Sequence, residues 1–387
     1  MRILSIHNRY QIRGGEDESR AAEENLLRQM GHHVDAYEEN NDQIAAISAA
    51  RLAFKTVWSN ASRQVVQQML QQKTYDIVHV QNFFPLISPS VHYAAKAARV
   101  PVIQTLRNYR LLCPNALFFR NGQVCEDCLG KPIPYPGVIH ACYRESHGAS
   151  AAVATMITAH RAMQTWTNQV DLFIALTEFA RQKFIEGGLP AEKIVIKPNF
   201  VPFDPGVGDG SGGYALFVGR LSVEKGLDVL LEAWQQLGNR IPLKIVGDGP
   251  LSDQVKLASQ HAQIEWLGRR PMPEVYDLMG NAKFLVFPSR WYETFGRVAV
   301  EAFAKGTPVI AANIGAIAEL VDSERTGLLY DPNHSTDLIE KVDWMLSHSA
   351  QVSQMRQDAR LEFETKYTAQ QNYKHLINIY DKVSQMI

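Results

Sequence analysis

Short apolar runs recur along the whole chain, and between them apolar residues return every three or four positions. Runs of four or five apolar residues are typical of strands buried on both faces, whereas the longer periodic stretches predict helices that bury one face. The predicted strands are 2–6, 76–80, 100–104, 171–175, 193–196, 215–218, 243–246, 264–267, 283–287 and 308–311. The predicted helices include 16–30, 88–98, 227–237 and 252–261. This alternation predicts βα units in open parallel sheets.

A segment without periodicity divides the chain nearly in half. Residues 198–213 contain three prolines and five glycines, which is typical of a linker. The sequence therefore predicts an α/β protein with two Rossmann-like, doubly wound parallel-sheet domains, residues 1–200 and 201–366. Because such sheets bind ligands outside the carboxyl ends of their strands, we expect the ligand site in a central cleft that the two domains face.

Composition narrows the class of protein. The 387 residues are 46% hydrophobic and 20% charged, which is globular and excludes disordered, collagen-like and coiled-coil chains. The net charge of −1 gives no global basic field, so no nucleic-acid partner is expected. No run reaches the roughly 18 to 20 apolar residues of a membrane span, and the first residues read as a strand and not as a signal peptide. We expect a cytoplasmic protein, with association at the inner face of the cytoplasmic membrane left open.

Residues 287–303 (FPSRWYETFGRVAVEAF) are the most informative segment for candidate functional residues. A buried strand ends at Phe287, a polar and aromatic loop follows, and a helix is predicted to begin near Phe295. Glu293 precedes that helix and Glu301 lies two turns inside it, so at about 1.5 Å per residue the two carboxylates are on the order of 10 Å apart. This spacing suits a ligand with hydroxyl groups at both ends and a diphosphate between them. The structural alternative is a helix cap and a solvated helix face.

The sequence around these glutamates resembles a known family. Residues 293–332 resemble the donor-binding segment of the retaining glycosyltransferases of family four, the glycosyl transferases group 1, which have the GT-B architecture. Residues 218–234 (VGRLSVEKGLDVLLEAW), 243–250 (LKIVGDGP) and 264–271 (IEWLGRRP) follow the order and spacing of that family. In the resembled fold the last helix, here 367–387, packs back on the first domain.

The resemblance implies donor-binding groups at the strand ends of the second half. Arg220 and Lys225 would hold the donor diphosphate, and such cations can neutralise a departing nucleoside diphosphate. Glu301 matches the glutamate that binds the ribose, and Glu293 matches the glutamate near the transferred sugar. Glu293, Arg220 and Lys225 are therefore the expected catalytic residues. The full donor-binding set implied by the resemblance is Gly14, Gly15, Gly219, Arg220, Lys225, Gly247, Arg269, Glu293, Thr294, Phe295, Gly296, Arg297, Val298 and Glu301.

Two features of the first half match the family less completely. Gly14 and Gly15 follow the first strand, like the paired glycines that approach the donor phosphate in the family. Residues 104–114 match a loop that commonly contains Leu-His-Asn, but Arg107 stands at the histidine position, and a guanidinium cannot act as a neutral imidazole. Arg107 and Asn108 are candidates for the acceptor side. For Arg107, a phosphate or acceptor contact and a structural ion pair are both open.

All four cysteines fall within 30 residues. Cys113, Cys125, Cys128 and Cys142 lie in an irregular insert, residues 113–146, and the two-residue gap between Cys125 and Cys128 is typical of zinc knuckles. We expect a structural zinc, with two disulfides or four free thiols as alternatives. A catalytic zinc is not expected, because it would keep one ligand position open.

The resemblance implies a hexosyltransferase, retaining and without a catalytic metal. The donor would be a nucleoside-diphosphate sugar, with UDP preferred and glucose or a related sugar transferred to an acceptor hydroxyl. The acceptor would be a glycan or glycolipid in cell-surface polysaccharide biosynthesis, and the oligomeric state is open. No Asp-x-Asp motif follows a strand, so cations and helix N-termini would supply the positive field. The alternatives are a UDP-sugar epimerase and a non-catalytic two-lobed binding protein.

Overall fold

The structure is a computed structural model that describes residues 1–11, 14–260 and 263–385. Contacts divide the chain into two units. The first comprises 1–118, 125–202 and the chain from Asn372 onward, and the second comprises 119–124 and 203–371. Two of the predicted helices, 252–261 and 367–387, end at His261 and at residues 386–387, which lie outside the described residues.

The elements up to residue 202 come in alternating order. The strands are β1 (Arg2–Arg9), β2 (His33–Asn40), β3 (Ile77–Asn82), β4 (Val102–Thr105), β5 (Phe119–Arg120), β6 (Gln123–Val124), β7 (Leu172–Ala175) and β8 (Ile194–Ile196). The helices are α1 (Gly15–Gln29), α2 (Ala49–Val57), α3 (Asn60–Gln72), α4 (Ser90–Ala97), α5 (Tyr135–Ile139), α6 (His147–Ala162), α7 (Thr165–Asn168) and α8 (Glu178–Glu186).

The elements beyond residue 202 repeat this alternation. The strands are β9 (Ala215–Val218), β10 (Leu243–Val246), β11 (Ile264–Gly268), β12 (Phe284–Phe287), β13 (Val309–Ala312) and β14 (Gly327–Tyr330). The helices are α9 (Leu227–Leu237), α10 (Ser252–Ala258), α11 (Met272–Asn281), α12 (Arg297–Ala304), α13 (Gly315–Leu320), α14 (Ser335–Ser347), α15 (Ser349–Lys366) and α16 (Ala369–Ser384). None of the described helices is both long and apolar enough to cross a membrane.

The sheet of the first unit is six-stranded and parallel, in the order β2-β1-β3-β4-β7-β8. The chain leaves β1 toward β2 on one side and returns to β3 on the other, so the topological switch point lies between β1 and β3. Helix α16 covers part of this sheet. Its Leu376 and Tyr380 belong to one buried cluster with Ile3, Ile77 and Ile103. The end of the chain therefore contributes to the core of the first unit.

The sheet of the second unit has the same design, in the order β11-β10-β9-β12-β13-β14, and all its strand pairs are parallel. Its switch point lies between β9 and β12. Helix α9 packs on the sheet because Leu227, Leu230, Trp234 and Leu237 recur at helical spacing and are all buried. The prediction of two doubly wound parallel sheets is confirmed.

Candidate functional site

Two loops of the second unit leave adjacent strands at its switch point. One runs from the end of β9 to Lys225, and the other runs from the end of β12 to Gly296. In open α/β sheets, ligands bind outside the carboxyl ends of the strands at such a point. The topology of the second unit thus identifies these two loops as the candidate site.

The two loops pack backbone against backbone. Gly226 has a φ of +69°, and a Cβ there would lie 1.9 Å from the carbonyl oxygen of Pro288. The N–H of Arg290 donates to the carbonyl oxygen of Glu224 at 2.9 Å. Only glycine permits this approach, so the position of the first loop is fixed by the second.

Glu293 receives three hydrogen bonds on one oxygen. Lys225 Nζ, Ser289 Oγ (2.9 Å) and Trp291 Nε1 (3.0 Å) all donate to Oε1. The Lys225 ammonium also lies 5.5 Å from the centre of the Trp291 ring. Because the Glu293 side chain is only 11% exposed, these donors hold its carboxylate in one orientation. Lys225, which the family resemblance assigned to the donor diphosphate, and Glu293, which it assigned to the transferred sugar, are therefore in direct contact.

Arg220 differs from Lys225 in its surroundings. It follows β9 and is exposed, and its guanidinium has no hydrogen-bond partner in the part of the chain that the structure describes. A solvated guanidinium can engage a phosphate without first breaking an ion pair. The structure places Arg220 on the same loop as Lys225, as predicted from the sequence.

Glu301 lies on α12, which begins later than the sequence predicted. Gly296 is its N-cap residue with a φ of +109°, so the helix starts at Arg297 and not near Phe295. Glu301 is consequently little more than one turn inside the helix, and not two. It is 4% exposed, and Arg297 Nε donates to its Oε1 at 2.7 Å. Burial raises the pKa of Tyr276 well above its usual value, and the negative charge of Glu301 raises it further.

The residues between Glu293 and α12 are mostly packed inward. Thr294 and Phe295 are buried, and the Phe295 ring meets Tyr367 edge to face at 6.1 Å. Arg297 and Val298 are half-buried and form the first turn of the helix. N–H groups of a first turn have no partner within their helix and can bind an anion.

Gly219 and Gly247 have a packing role in the structure. A Cβ on Gly247, whose φ is +140°, would lie 1.8 Å from the carbonyl oxygen of Gly219. The Gly247 N–H donates to Gly268 at 2.8 Å, and its carbonyl accepts from Trp266 Nε1 at 3.0 Å. Both polar groups of Gly247 are thus used within the protein. Arg269 is well exposed beside them, and its Nε lies 3.5 Å from Asp248.

In the first unit, Gly14 and Gly15 open α1. The Gly14 N–H donates to Asp17 Oδ2 at 3.1 Å, and Asp17 Oδ1 lies 2.8 Å from His7 Nε2. Gly14 is therefore engaged in capping the helix. At Gly15, by contrast, a Cβ would meet no atom within 4 Å, so open space faces this position.

Arg107 makes the contacts of a structural residue. It is 5% exposed, its Nε and Nη2 donate to Gln81 Oε1 at 2.9 and 2.6 Å, and its Nη1 donates to Asn199 at 3.1 Å. Asn108, which is half-buried, donates to Glu16 Oε1 at 3.0 Å. Of the two roles left open for Arg107, these contacts favour the structural one.

A buried polar network beside Arg107 was not predicted. Glu23 Oε2 accepts from Lys197 Nζ at 2.8 Å, and both side chains are 2% exposed. Burial opposes the charge on Glu23, but Lys197 and neighbouring cations lower its pKa to about 2. His79 bonds Tyr380 of α16 at 2.7 Å and Thr105 at 2.8 Å, and burial lowers its pKa to about 4. No sequence motif marks this network, because its members come from four separate elements and from the residue after β8.

The four cysteines form no disulfide. Within residues 1–11, 14–260 and 263–385, no group of three His, Cys, Asp or Glu side chains is arranged to hold a metal ion. The expected zinc site is thus not preformed in the described part of the chain.

Sequence reasoning missed three residues of the candidate site. Ser289 and Trp291 donate hydrogen bonds to Glu293, and the pKa of Tyr276 is raised by the charge of Glu301. Trp291 carried a signal, since an aromatic residue with an N–H donor stands two positions before a candidate site carboxylate. Tyr276 carried none, because it belongs to α11, which is distant in sequence.

Comparison with known proteins identifies the family. The model of the family described as glycosyl transferases group 1 matches residues 208–362, and that of the glycosyl transferase 4-like domain matches residues 25–199. Each model covers less than half of the chain, and together they cover most of it, so the predicted resemblance to the group 1 glycosyltransferases and the predicted transferase class are confirmed.

Individual relatives agree with this family. An uncharacterized glycosyltransferase of Methanocaldococcus jannaschii is 29% identical over 242 residues, which are 62% of this chain and 67% of that protein. O-antigen chain mannosyltransferase C of Escherichia coli is 28% identical over 45% of this chain and 47% of its own. The chain thus matches about half the length of the second protein. These relatives are transferases, and the epimerase alternative is not supported.

A solved structure shows the fold. The Anabaena protein HepE, crystallised in complex with UDP and glucose, superimposes with a TM-score of 0.68 at 19% identity, over 98% of this chain and 99% of its own. The predicted GT-B architecture is confirmed.

Proposed function

We propose that this protein is a retaining glycosyltransferase that moves a hexose from a UDP-sugar to an acceptor hydroxyl. The observation that carries the proposal is the direct contact of Lys225 with Glu293 at the switch point of the second unit. A cation and a carboxylate on adjacent strand ends match the two chemical demands of a sugar nucleotide, an anionic diphosphate and a polyhydroxylated ring.

Lys225 and Arg220 bind the donor diphosphate in this proposal. The Lys225 ammonium has three N–H donors, and Glu293 accepts one of them, so two can serve phosphate oxygens. Arg220 adds a solvated guanidinium on the same loop, and the first turn of α12 adds N–H groups. Together they stabilise the charge that develops on the leaving UDP.

Glu293 and Glu301 bind the two ends of the donor. Glu293 orients the transferred sugar through its hydroxyls and is not assigned as a covalent nucleophile, because Lys225, Ser289 and Trp291 fix its Oε1 by hydrogen bonds. Glu301, oriented by Arg297, accepts hydrogen bonds from the ribose. Retention of the anomeric configuration is proposed from the resemblance to the family. In this proposal the leaving phosphate takes the proton of the acceptor hydroxyl.

The remaining residues of the predicted donor-binding set are proposed to lie around other parts of the donor. Arg269 is exposed beyond the end of β11 and is proposed to lie near the nucleobase, and Gly219 and Gly247 shape the adjacent strand ends. In the first unit, the open space at Gly15 supports a ligand contact there. Asn108 is proposed to lie on the acceptor side.

UDP is the proposed donor nucleotide because HepE, which shares the fold, was crystallised with UDP and glucose. A cell-surface polysaccharide or glycolipid is the proposed acceptor because the E. coli relative is an O-antigen chain transferase. Transfer would then take place in the cytoplasm, at the inner face of the cytoplasmic membrane.

A thermal-shift panel of UDP- and GDP-sugars tests the donor. A ligand that binds only the native state raises the melting temperature, and we expect the largest shift with a UDP-hexose. The same donor, incubated alone, should give only slow hydrolysis, and NMR of the product formed with an acceptor should show the anomeric configuration of the donor. Shifts confined to GDP-sugars would overturn the assignment of uridine, and inversion would overturn retention.

A further inference from the structure

The segment that contains the four cysteines has little regular structure to stabilise it. Between residues 113 and 146 the described elements are the two-residue strands β5 and β6 and the five-residue helix α5. Six residues other than glycine adopt a positive φ there: Ala116, Phe118, Asn121, Ala141, Arg144 and Glu145. Such conformations cost free energy and persist only where the surroundings enforce them. We therefore expect a cross-link to hold this segment in its conformation.

Backbone hydrogen bonds bring Cys113 and Cys125 to the same short loop. The N–H of Ala116 donates to the carbonyl oxygen of Cys113 at 2.9 Å, and the N–H of Cys125 donates to that of Phe118 at 2.8 Å. Cys128 follows three residues later. Cys113 and Cys125 thus both border residues 116–118 through main-chain contacts.

Gly137 connects this group to Cys142. The N–H of Cys142 donates to the carbonyl oxygen of Gly137 at 2.9 Å. A Cβ on Gly137 would lie 2.6 Å from the ring of Pro114, the residue after Cys113. The Cys128 sulfur lies 3.7 Å from the carbonyl oxygen of Pro134 in the same turn. The chain next to Cys113, the turn beside Cys128 and the backbone of Cys142 therefore meet at Gly137.

The turn beside Cys128 also closes on Gly137. The N–H of Gly137 donates to the carbonyl oxygen of Pro134 at 3.2 Å, the same oxygen that lies 3.7 Å from the Cys128 sulfur. One carbonyl oxygen therefore joins Gly137 to the Cys128 side chain.

Arg161 of α6 supplies a compensating charge. Its guanidinium donates to the carbonyl oxygens of Lys131 and Leu111, within and beside the cysteine segment. A half-buried cation at this place offsets negative charge that builds up on the sulfurs.

We propose that Cys113, Cys125, Cys128 and Cys142 bind one Zn²⁺ as a tetrathiolate that cross-links residues 113–146. Each thiol gives up a proton, so four protons are released and the Zn²⁺-thiolate group carries a net charge of −2. The described side chains are not arranged around one ion, so zinc binding requires the four sulfurs to move to about 2.3 Å from the zinc. The inference goes beyond the proposed function and does not depend on it.

The experiment measures metal and thiols on the full chain, purified without an affinity tag or chelator. We expect elemental analysis to find about one zinc per chain, and a mercurial reagent to release it as its four thiols react. Cobalt taken up in place of zinc should show the absorption of a tetrahedral thiolate complex. Cys125→Ser and Cys142→Ser should each lose most of the zinc, whereas His140→Ala, an exposed neighbour in the same segment, should retain it.

The measurements on the unaltered chain keep the proposal testable even where a cysteine variant fails to fold. A chain that contains no zinc, takes up neither zinc nor cobalt, and has two disulfides or four freely alkylated thiols would overturn it. Loss of zinc from His140→Ala would overturn the ligand set. Loss of donor binding with zinc intact would count against the proposed function only.

Discussion

The indole N–H of Trp291 donates to Oε1 of Glu293 at 3.0 Å. The same ring lies 5.5 Å from the Lys225 ammonium, so one side chain contacts both charged groups of the candidate site. Trp291 touches neither donor phosphate nor sugar in our account, and we regard it as a positioning residue.

Replacing Trp291 by Phe separates these two contacts, because Phe keeps a ring beside Lys225 and loses the N–H. A hydrogen bond to a charged group contributes about 1.5–3 kcal/mol, so we expect kcat to fall about tenfold or more with a small change in donor KM. Trp291→Leu, which also removes the ring, should in addition raise the donor KM. Steady-state kinetics with varied donor make the comparison.

Trp344→Phe is the matched control, since Trp344 stacks on His348 in the second unit, away from both loops of the candidate site. It should leave kcat and KM nearly unchanged. Equal kcat values for Trp291→Phe and the unaltered enzyme would show that the indole N–H does not position Glu293.

Glu301→Ala should raise the donor KM more than it changes kcat, because the ribose is bound in both the ground state and the transition state. Arg297→Ala should produce a smaller increase of the same kind, since Arg297 acts by orienting Glu301. The double variant should then resemble Glu301→Ala alone, because the two changes share one contact. Additive effects in this cycle would mean that Arg297 acts on the donor by a separate route.

Acid should destabilise the first unit through His92. This imidazole is fully buried between Pro89 and Gln104, and burial lowers its pKa from 6.5 to about 4. Between these values the unfolded chain binds a proton that the folded chain does not, so stability falls as the pH drops through this window. For one such histidine the loss between about pH 7 and about pH 5 is about 2 kcal/mol.

Urea unfolding at the two pH values measures this loss. His92→Gln should show a pH-dependent loss smaller by about 2 kcal/mol, whatever its stability at neutral pH. His33→Gln, at an exposed histidine of β2, should keep the full pH dependence. The same dependence in His92→Gln as in the unaltered chain would contradict the assigned pKa.

The buried strands were predictable from the sequence because they are apolar on both faces. Strands β9 and β10 begin and end where the apolar runs do. Strand β2 was missed, since its sequence HVDAYEEN is polar and its residues are half-buried or exposed at the edge of the sheet. Edge strands need no continuous apolar run, so hydrophobicity does not mark them.

The candidate site was predictable to the extent that it follows strand ends. Lys225 and Glu293 were identified through motifs, but their mutual contact depends on the order β9-β12, which brings two distant loops together. A structural role for Arg107 was one of the two left open, but its partners Gln81 and Asn199 were not predictable, because they are far apart in the sequence. Motifs identified the residues, and topology determined which of them meet.

The central claim is that Lys225 and its neighbours at the switch point of the second unit bind the donor diphosphate. Calorimetric titration with UDP tests it most directly, with Lys225→Ala compared against Lys341→Ala, a lysine that pairs with Asp337 on the surface of α14. We predict that the unaltered chain and Lys341→Ala bind UDP equally, and that Lys225→Ala binds it at least about tenfold more weakly. Undiminished UDP affinity in a folded Lys225→Ala variant would contradict the account.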